Sequence, residues 1–281
     1  MSLRSSLWSR LQILSLAALL SFAVPLALPP RVLAEPSDVA EVRASSDHEE
    51  PTPALGPAGQ TLVAEQKSAA VGPGMTLTTF DRFDARGWVR GYVLRVDLSN
   101  PAVSANLLYP GVATAAAPLS RTAGQAGAVA GINGDFFDIN NTNAPLGAMV
   151  QDGQLVKGPV PGWSRVVGVG TDGLARVADV LLEGTVTLPA GSLPLAGLNQ
   201  TTIPAGGIGL YTPLWGKGAR DAVTSGAPAR EVVVADGQVV SNTTGISATA
   251  VPANGFILVG REAGAEALAA LQAGDPVTVQ Y

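Results

Sequence analysis

The chain has no cysteine and one histidine, His48. Without thiols there is no disulfide framework, no cysteine nucleophile and no lipoprotein cysteine. Without a second imidazole there is no histidine-based zinc centre. His48 lies in an acidic, proline-rich stretch, so no Ser-His pair is expected inside a folded domain. Charge is also scarce: 14% of residues are charged and 47% are hydrophobic. The formal net charge is −5, and the only charges among the first 34 residues are Arg4, Arg10 and Arg31, so the remainder is more acidic still. With no basic stripe, nucleic acid is excluded as an expected partner. Long apolar runs are confined to the N-terminus, and no second run of membrane length follows. Hydrolytic chemistry is left to carboxylates, amides, hydroxyls, lysine and arginine.

What is present organises the chain into four parts. Residues 1–34 read as a signal peptide: a positive start, an apolar stretch from Leu11 to Leu28, and small residues before Glu35, which place cleavage after Ala34. The competing reading, an uncleaved anchor helix, is weakened by Pro25, Pro29 and Pro30. Residues 35–74 read as a disordered linker, acidic around Asp47–Glu50 and broken by Pro51, Pro53 and Pro57. Residues 75–182 and then 183–281 carry short alternating runs punctuated by glycine and proline, which gives an α+β fold, mainly antiparallel β-sheet with few short helices. Trp88–Leu98 and Ala102–Leu108 read as a hairpin around Ser99-Asn100-Pro101. Pro118–Gly127 reads as a weak helix with Ser120 or Thr122 as possible caps, and Ala263–Gln272 as a helix closed by Gly274. Asp152-Gly153, Asp172-Gly173 and Asp236-Gly237 read as hairpin turns, because glycine accepts positive φ. Pro213–Gly216 reads as a loop whose Trp215 packs in the core or pins the loop.

The polar side chains concentrate in Ala128–Gly153. The apolar run Ala128–Ile132 reads as a short buried strand leading into Asn133-Gly134-Asp135-Phe136-Phe137-Asp138. If the chain stays extended, Asn133, Asp135 and Phe137 share one face and Phe136 and Asp138 the other. Gly131 and Gly134 leave room for a close backbone or ligand. An amide and carboxylates beside aromatic rings suit a sugar or a phosphate. The plainer reading is a strand end whose Asp and Asn residues cap turns while both Phe residues fill the core. Asp138, Asn140 and Thr142 have calcium-loop spacing, but Asn143 replaces the required glycine and Met149 the bidentate glutamate, so no metal is assigned.

Asn133-Gly134-Asp135-Phe136-Phe137, followed by Pro145-x-Gly147 and Asp152-Gly153, resembles the N-terminal signature of the phosphodiester glycosidase family. The resemblance runs from about Thr76 to the C-terminus and is most specific over Val129–Gly153. Two further family segments, an Arg-Thr-Ala-x-Gly strand and a Leu-Asp-Gly-Gly stretch, are not found, so the resemblance implies a domain truncated at its C-terminus. Arg121-Thr122-Ala123-Gly124 is similar to the first, but it precedes the Asn-Gly motif and does not take that role.

By this resemblance the expected activity is hydrolysis of a sugar-1-phosphodiester or related glycan linkage by an exported protein, with no cofactor. The expected partner is a carbohydrate or sugar-phosphate. A phosphate leaving group is already a stable anion, so the protein needs chiefly to hold phosphate and stabilise an oxocarbenium-like carbon. Asn133, Asp135 and Asp138 are the candidate catalytic residues. Gly134, Phe136, Phe137, Arg121 and Arg165 are candidates for holding substrate. Two further readings stay open: a non-catalytic envelope glycan-binding protein and a purely structural envelope protein.

Overall fold

The computed structural model describes residues 62–84 and 87–281. The proposed leader, its cleavage site, His48 and the acidic run lie outside the described residues. Among the described residues the fold is mostly antiparallel β-sheet with two short α-helices.

The described residues open with a meander of β1 (Leu62–Gly72), β2 (Met75–Asp84) and β3 (Gly87–Val96). β1 therefore begins inside the stretch that the sequence assigns to a linker. β3 pairs with β2 in a continuous register from Met75–Val96 to Asp84–Gly87. The expected hairpin of residues 88–98 with 102–108 does not form. Asp97 and Asn100 explain this: their carboxylate and amide oxygens accept from the backbone N–H of Ser99 and Ala102, each at 3.0 Å. These side-chain bonds turn the chain away before a ladder starts, and Leu107 and Tyr109 pack into the core instead.

Helix α1 (Leu119–Ala126) forms where expected and ends at Gly127 in the left-handed region, φ 65°. Its N-cap is Pro118, with no side-chain cap, so neither Ser120 nor Thr122 serves. Hairpins follow at the Asp-Gly turns: β4 (Met149–Gln151) with β5 (Gln154–Lys157), then β6 (Arg165–Val169) with β7 (Ala175–Asp179). At Asp152-Gly153 both residues have positive φ, 50° and 79°, the pair that a tight twisted hairpin requires. β8 (Thr185–Leu188) and β9 (Gly191–Pro194) form a third hairpin, later joined by β15 (Thr278–Gln280).

The centre of the structure is a five-stranded sheet. Its members are β10 (Gly197–Leu198), β11 (Ile208–Tyr211), β12 (Ala229–Ala235), β13 (Gln238–Thr244) and β14 (Gly255–Arg261), in the order β10-β11-β14-β12-β13. Only the β10–β11 pairing in this sheet is parallel. β12 and β14 read as near-continuous apolar runs because both of their faces are covered. Alternation sorts them into two cores. Val232, Val234 and Leu258 face one cluster with Leu188, Leu198, Leu210 and Leu268, while Val233, Ile257 and Val259 face the other with Val156, Tyr211 and Trp215. The Pro213–Trp215 segment is a single turn of 3-10 helix, and Trp215 is fully buried, as expected for a loop pinned by its tryptophan.

Helix α2 (Ala263–Ala267) is shorter than the expected 263–272. Its last residues give way to turns in which the N–H of Gln272 donates to Asp275 Oδ2, and Leu268 and Leu271 still reach the core. Gly274 has φ 92° and marks the end of those turns.

Candidate functional site

The Ala128–Ile132 run is not the buried strand that the sequence implies. It joins no ladder, and Val129 and Ile132 are 80% and 88% exposed. Their spacing of three places them on opposite faces of an extended chain, so one buried face cannot shelter both. The Leu108 and Leu119 side chains approach Gly131, leaving a methyl there only 3.2–3.3 Å of room. Gly134 faces open space.

Beyond this run the loop closes on itself. Phe137 and Pro145 form an isolated bridge, and the Leu146 N–H donates to the Phe136 carbonyl at 2.9 Å. Asp138 is the clasp of the loop. Its Oδ2 accepts from the Thr142 hydroxyl at 2.7 Å and the Thr142 N–H at 3.2 Å, and its own N–H donates to Ala144. Asn140 and Asn143 take left-handed backbone, φ 60° and 59°, a conformation asparagine tolerates well. Asp138 thus spends one carboxylate oxygen on turn closure.

Asp135 is differently placed. It is exposed, yet its carboxylate is oriented at both oxygens: the Phe136 N–H donates to Oδ1 at 2.7 Å and the Gly147 N–H to Oδ2 at 2.5 Å. A Cβ on residue 147 would sit 2.7 Å from Oδ2, so this approach requires glycine. The Asp135 and Gly147 of the motif are therefore one physical unit. Asn133 is exposed two residues before Asp135.

Beneath Gly147 lies a residue that the sequence reading did not single out. Lys157, the last residue of β5, is fully buried. Its ammonium donates to the carbonyls of Gly158 at 2.8 Å, Gly147 at 3.1 Å and Leu146 at 3.2 Å. It makes no ion pair among the described residues. Burial pulls its pKa down to about 8, against the opposing pull of the Asp135 charge. A lone lysine at the end of the apolar strand Leu155-Val156 was the available signal.

Trp163 was also missed. It packs edge-to-face on Phe136, with ring centroids 5.7 Å apart and planes at 62°, and its backbone N–H donates to the Val160 carbonyl across the Pro161-Gly162 turn. Phe136 is 71% exposed and Trp163 40%, so the pair forms an aromatic surface next to Asp135. Phe137 is also part-exposed. Neither expected arginine joins these residues: Arg121 stands exposed on α1, and Arg165 pairs loosely with Asp179 across the β6–β7 hairpin, at 3.8 Å. Among the described residues no group of three Asp, Glu or His side chains is arranged to hold a metal.

A second polar cluster is built on a buried ion pair. Arg220 and Glu231 are buried and paired at 3.1 Å. The Ser247 hydroxyl donates to Glu231 Oε1, and Arg220 Nη2 donates to the Thr249 carbonyl at 2.5 Å. This network ties the 247–249 loop to β12.

Comparison with known proteins bears on the fold. No family model matches this chain, and no curated protein is similar to it. A hypothetical protein from Synechocystis superposes with a TM-score of 0.65 at 23% identity, over 77% of this chain and 40% of its own. A protein of Burkholderia pseudomallei K96243, provisionally named an exported protein, gives 0.58 at 16% identity, over 83% and 70%. The likeness is one of fold. This chain spans less than half the length of the Synechocystis protein. Among the described residues no helix is long and apolar enough to cross a membrane.

Proposed function

We propose that this chain is an exported protein of the phosphodiester glycosidase type, whose surface at residues 133–138 takes a sugar-1-phosphodiester or related glycan. The observation that carries the reading is the exposed Asp135, its carboxylate oriented by two backbone N–H groups beside the exposed Phe136–Trp163 pair. Aromatic faces suit the apolar side of a sugar ring, while a carboxylate and an amide suit its hydroxyls. In hydrolysis, Asp135 stabilises positive charge at the anomeric carbon and Asn133 holds a hydroxyl or acetamido group. The phosphate monoester leaves as an anion and asks little of a general acid. The apolar leader and the name of the Burkholderia neighbour support export.

A second reading, binding without turnover, is favoured by Asp138. Its Oδ2 is engaged by Thr142, and both oxygens of Asp135 accept from backbone N–H groups, so the two carboxylates of the motif are committed to holding the loop as well as to any ligand. The test is release of free sugar from the methyl diester of N-acetylglucosamine 1-phosphate by the purified chain, with Asp135→Asn alongside. Turnover lost in Asp135→Asn supports the enzyme. Retained binding without any turnover supports the second reading. Neither binding nor turnover would overturn both.

A further inference from the structure

We propose that Lys157 is the positioning residue of the Asp135 site, fixing from beneath the peptide whose N–H orients the carboxylate above. The Leu146–Gly147 peptide has two polar ends: its N–H, on Gly147, donates to Asp135 Oδ2, and its carbonyl, on Leu146, accepts from the Lys157 ammonium at 3.2 Å. The same ammonium takes the adjacent Gly147 carbonyl and the Gly158 carbonyl, and the Leu146 carbonyl also accepts from the Val160 N–H at 3.2 Å. One buried cation therefore gathers residues 146–147 of the motif loop and the 158–160 segment that leads to Trp163. It joins the two halves of the site, the carboxylate and the aromatic pair. Three carbonyls and no carboxylate are an expensive setting for a buried charge, since opposite charge is what usually compensates it. A methionine would fill the same volume without that cost. Asp135 is the titratable side chain that acts on Lys157 through space. The groups the ammonium touches are carbonyl oxygens.

The functional meaning of this role rests on the reading of residues 133–138 as a ligand site, but its test is read without a ligand. In carbon-detected NMR of the full chain, the Leu146 carbonyl and the Asp135 carboxyl carbon are followed as Lys157 titrates, near pH 8. Both are expected to inflect with the Lys157 side-chain carbons, and both inflections are expected to vanish in Lys157→Met. A Lys157 that titrates while those two carbons stay flat would overturn the proposal, and the wild-type titration needs no variant to fold. Below that pH, Lys157→Met is expected to bind the methyl diester of N-acetylglucosamine 1-phosphate about 10-fold more weakly, the loss typical when a supporting shell is removed. Coupled inflections in a wild-type chain that does not bind the diester would uphold the positioning role and sink the proposed function.

Discussion

At the scale of single residues, the site separates side chains that face solvent from those that hold them in place. Asn133 is exposed, so Asn133→Ala is expected to change stability by no more than about 0.5 kcal/mol and to weaken glycan binding or turnover. A large drop in melting temperature would make the amide structural instead. Gly147 is the opposite case. In Gly147→Ala the new methyl would displace the Asp135 carboxylate and break its bond to the 147 N–H. Hydrogen bonds to charged groups contribute about 1.5–3 kcal/mol, and a loss of that size is expected in chemical denaturation. Lys157 gives a pH signature. Its pKa in the folded chain is about 8, below the ordinary 10.5. Below about 8 the amine is charged in both folded and unfolded chains, and the cost of burying that charge is fully present. Between the two values the unfolded chain keeps a proton that the folded chain has lost, so stability rises with pH across that window. The gain is on the order of 3 kcal/mol. Denaturation of wild type against Lys157→Met across that window should show a rise in the first and none in the second.

At the scale of elements, β12 and the loops that cross it are joined by the Arg220–Glu231 pair. Glu231 takes the place in β12 where alternation would put a second apolar residue facing Val233's cluster. Removing one partner leaves the other buried and uncompensated, so Arg220→Met is expected to cost about 3–5 kcal/mol. A denaturation curve shifted by less than 1 kcal/mol would show that water reaches Glu231. The elements themselves were legible where local chemistry decides them. The three Asp-Gly pairs each close a hairpin, and Gly127 ends α1, because positive φ is a property of the residue. Pairing partners were not legible. β3 was matched to residues 102–108 because they follow it, but the strand beside it comes before it in the chain. The motif loop was half legible. The residue types at 133–138 marked it, but the Asp135–Gly147 contact and the Lys157 clamp depend on the loop's closure, which no periodicity encodes. Trp163 lies 27 residues beyond Phe136 and reaches it only through the Pro161-Gly162 turn. Ala128–Ile132 failed for a different reason: apolar composition signals burial only when one face collects it.

At the scale of the whole molecule, stability is unevenly spread. β12 and β14 have neighbours on both edges and a core cluster on each face. Their amides can exchange with solvent only when both clusters come apart. β6 and β7 form a two-stranded hairpin whose register holds Val167 opposite Val177, and both are exposed. The Arg176–Asp172 ion pair near its turn is half-exposed and adds little. Isolated hairpins of this kind are marginal in water. Hydrogen exchange should therefore divide the chain into cooperative units of different free energy. The slowest amides are expected at Val232, Val233, Val234, Ile257, Leu258 and Val259, exchanging together at the free energy of global unfolding. The β6–β7 amides should exchange first, and the meander β1–β3, much of whose surface is exposed, before the central sheet. Denaturant should then lower protection in the central strands steeply and in β6–β7 hardly at all, since local opening exposes little new surface. Equal protection across β6–β7 and β12–β14 would mean that another surface covers the hairpin in solution. In that case the exposed valines, together with Val129 and Ile132, would mark where it sits.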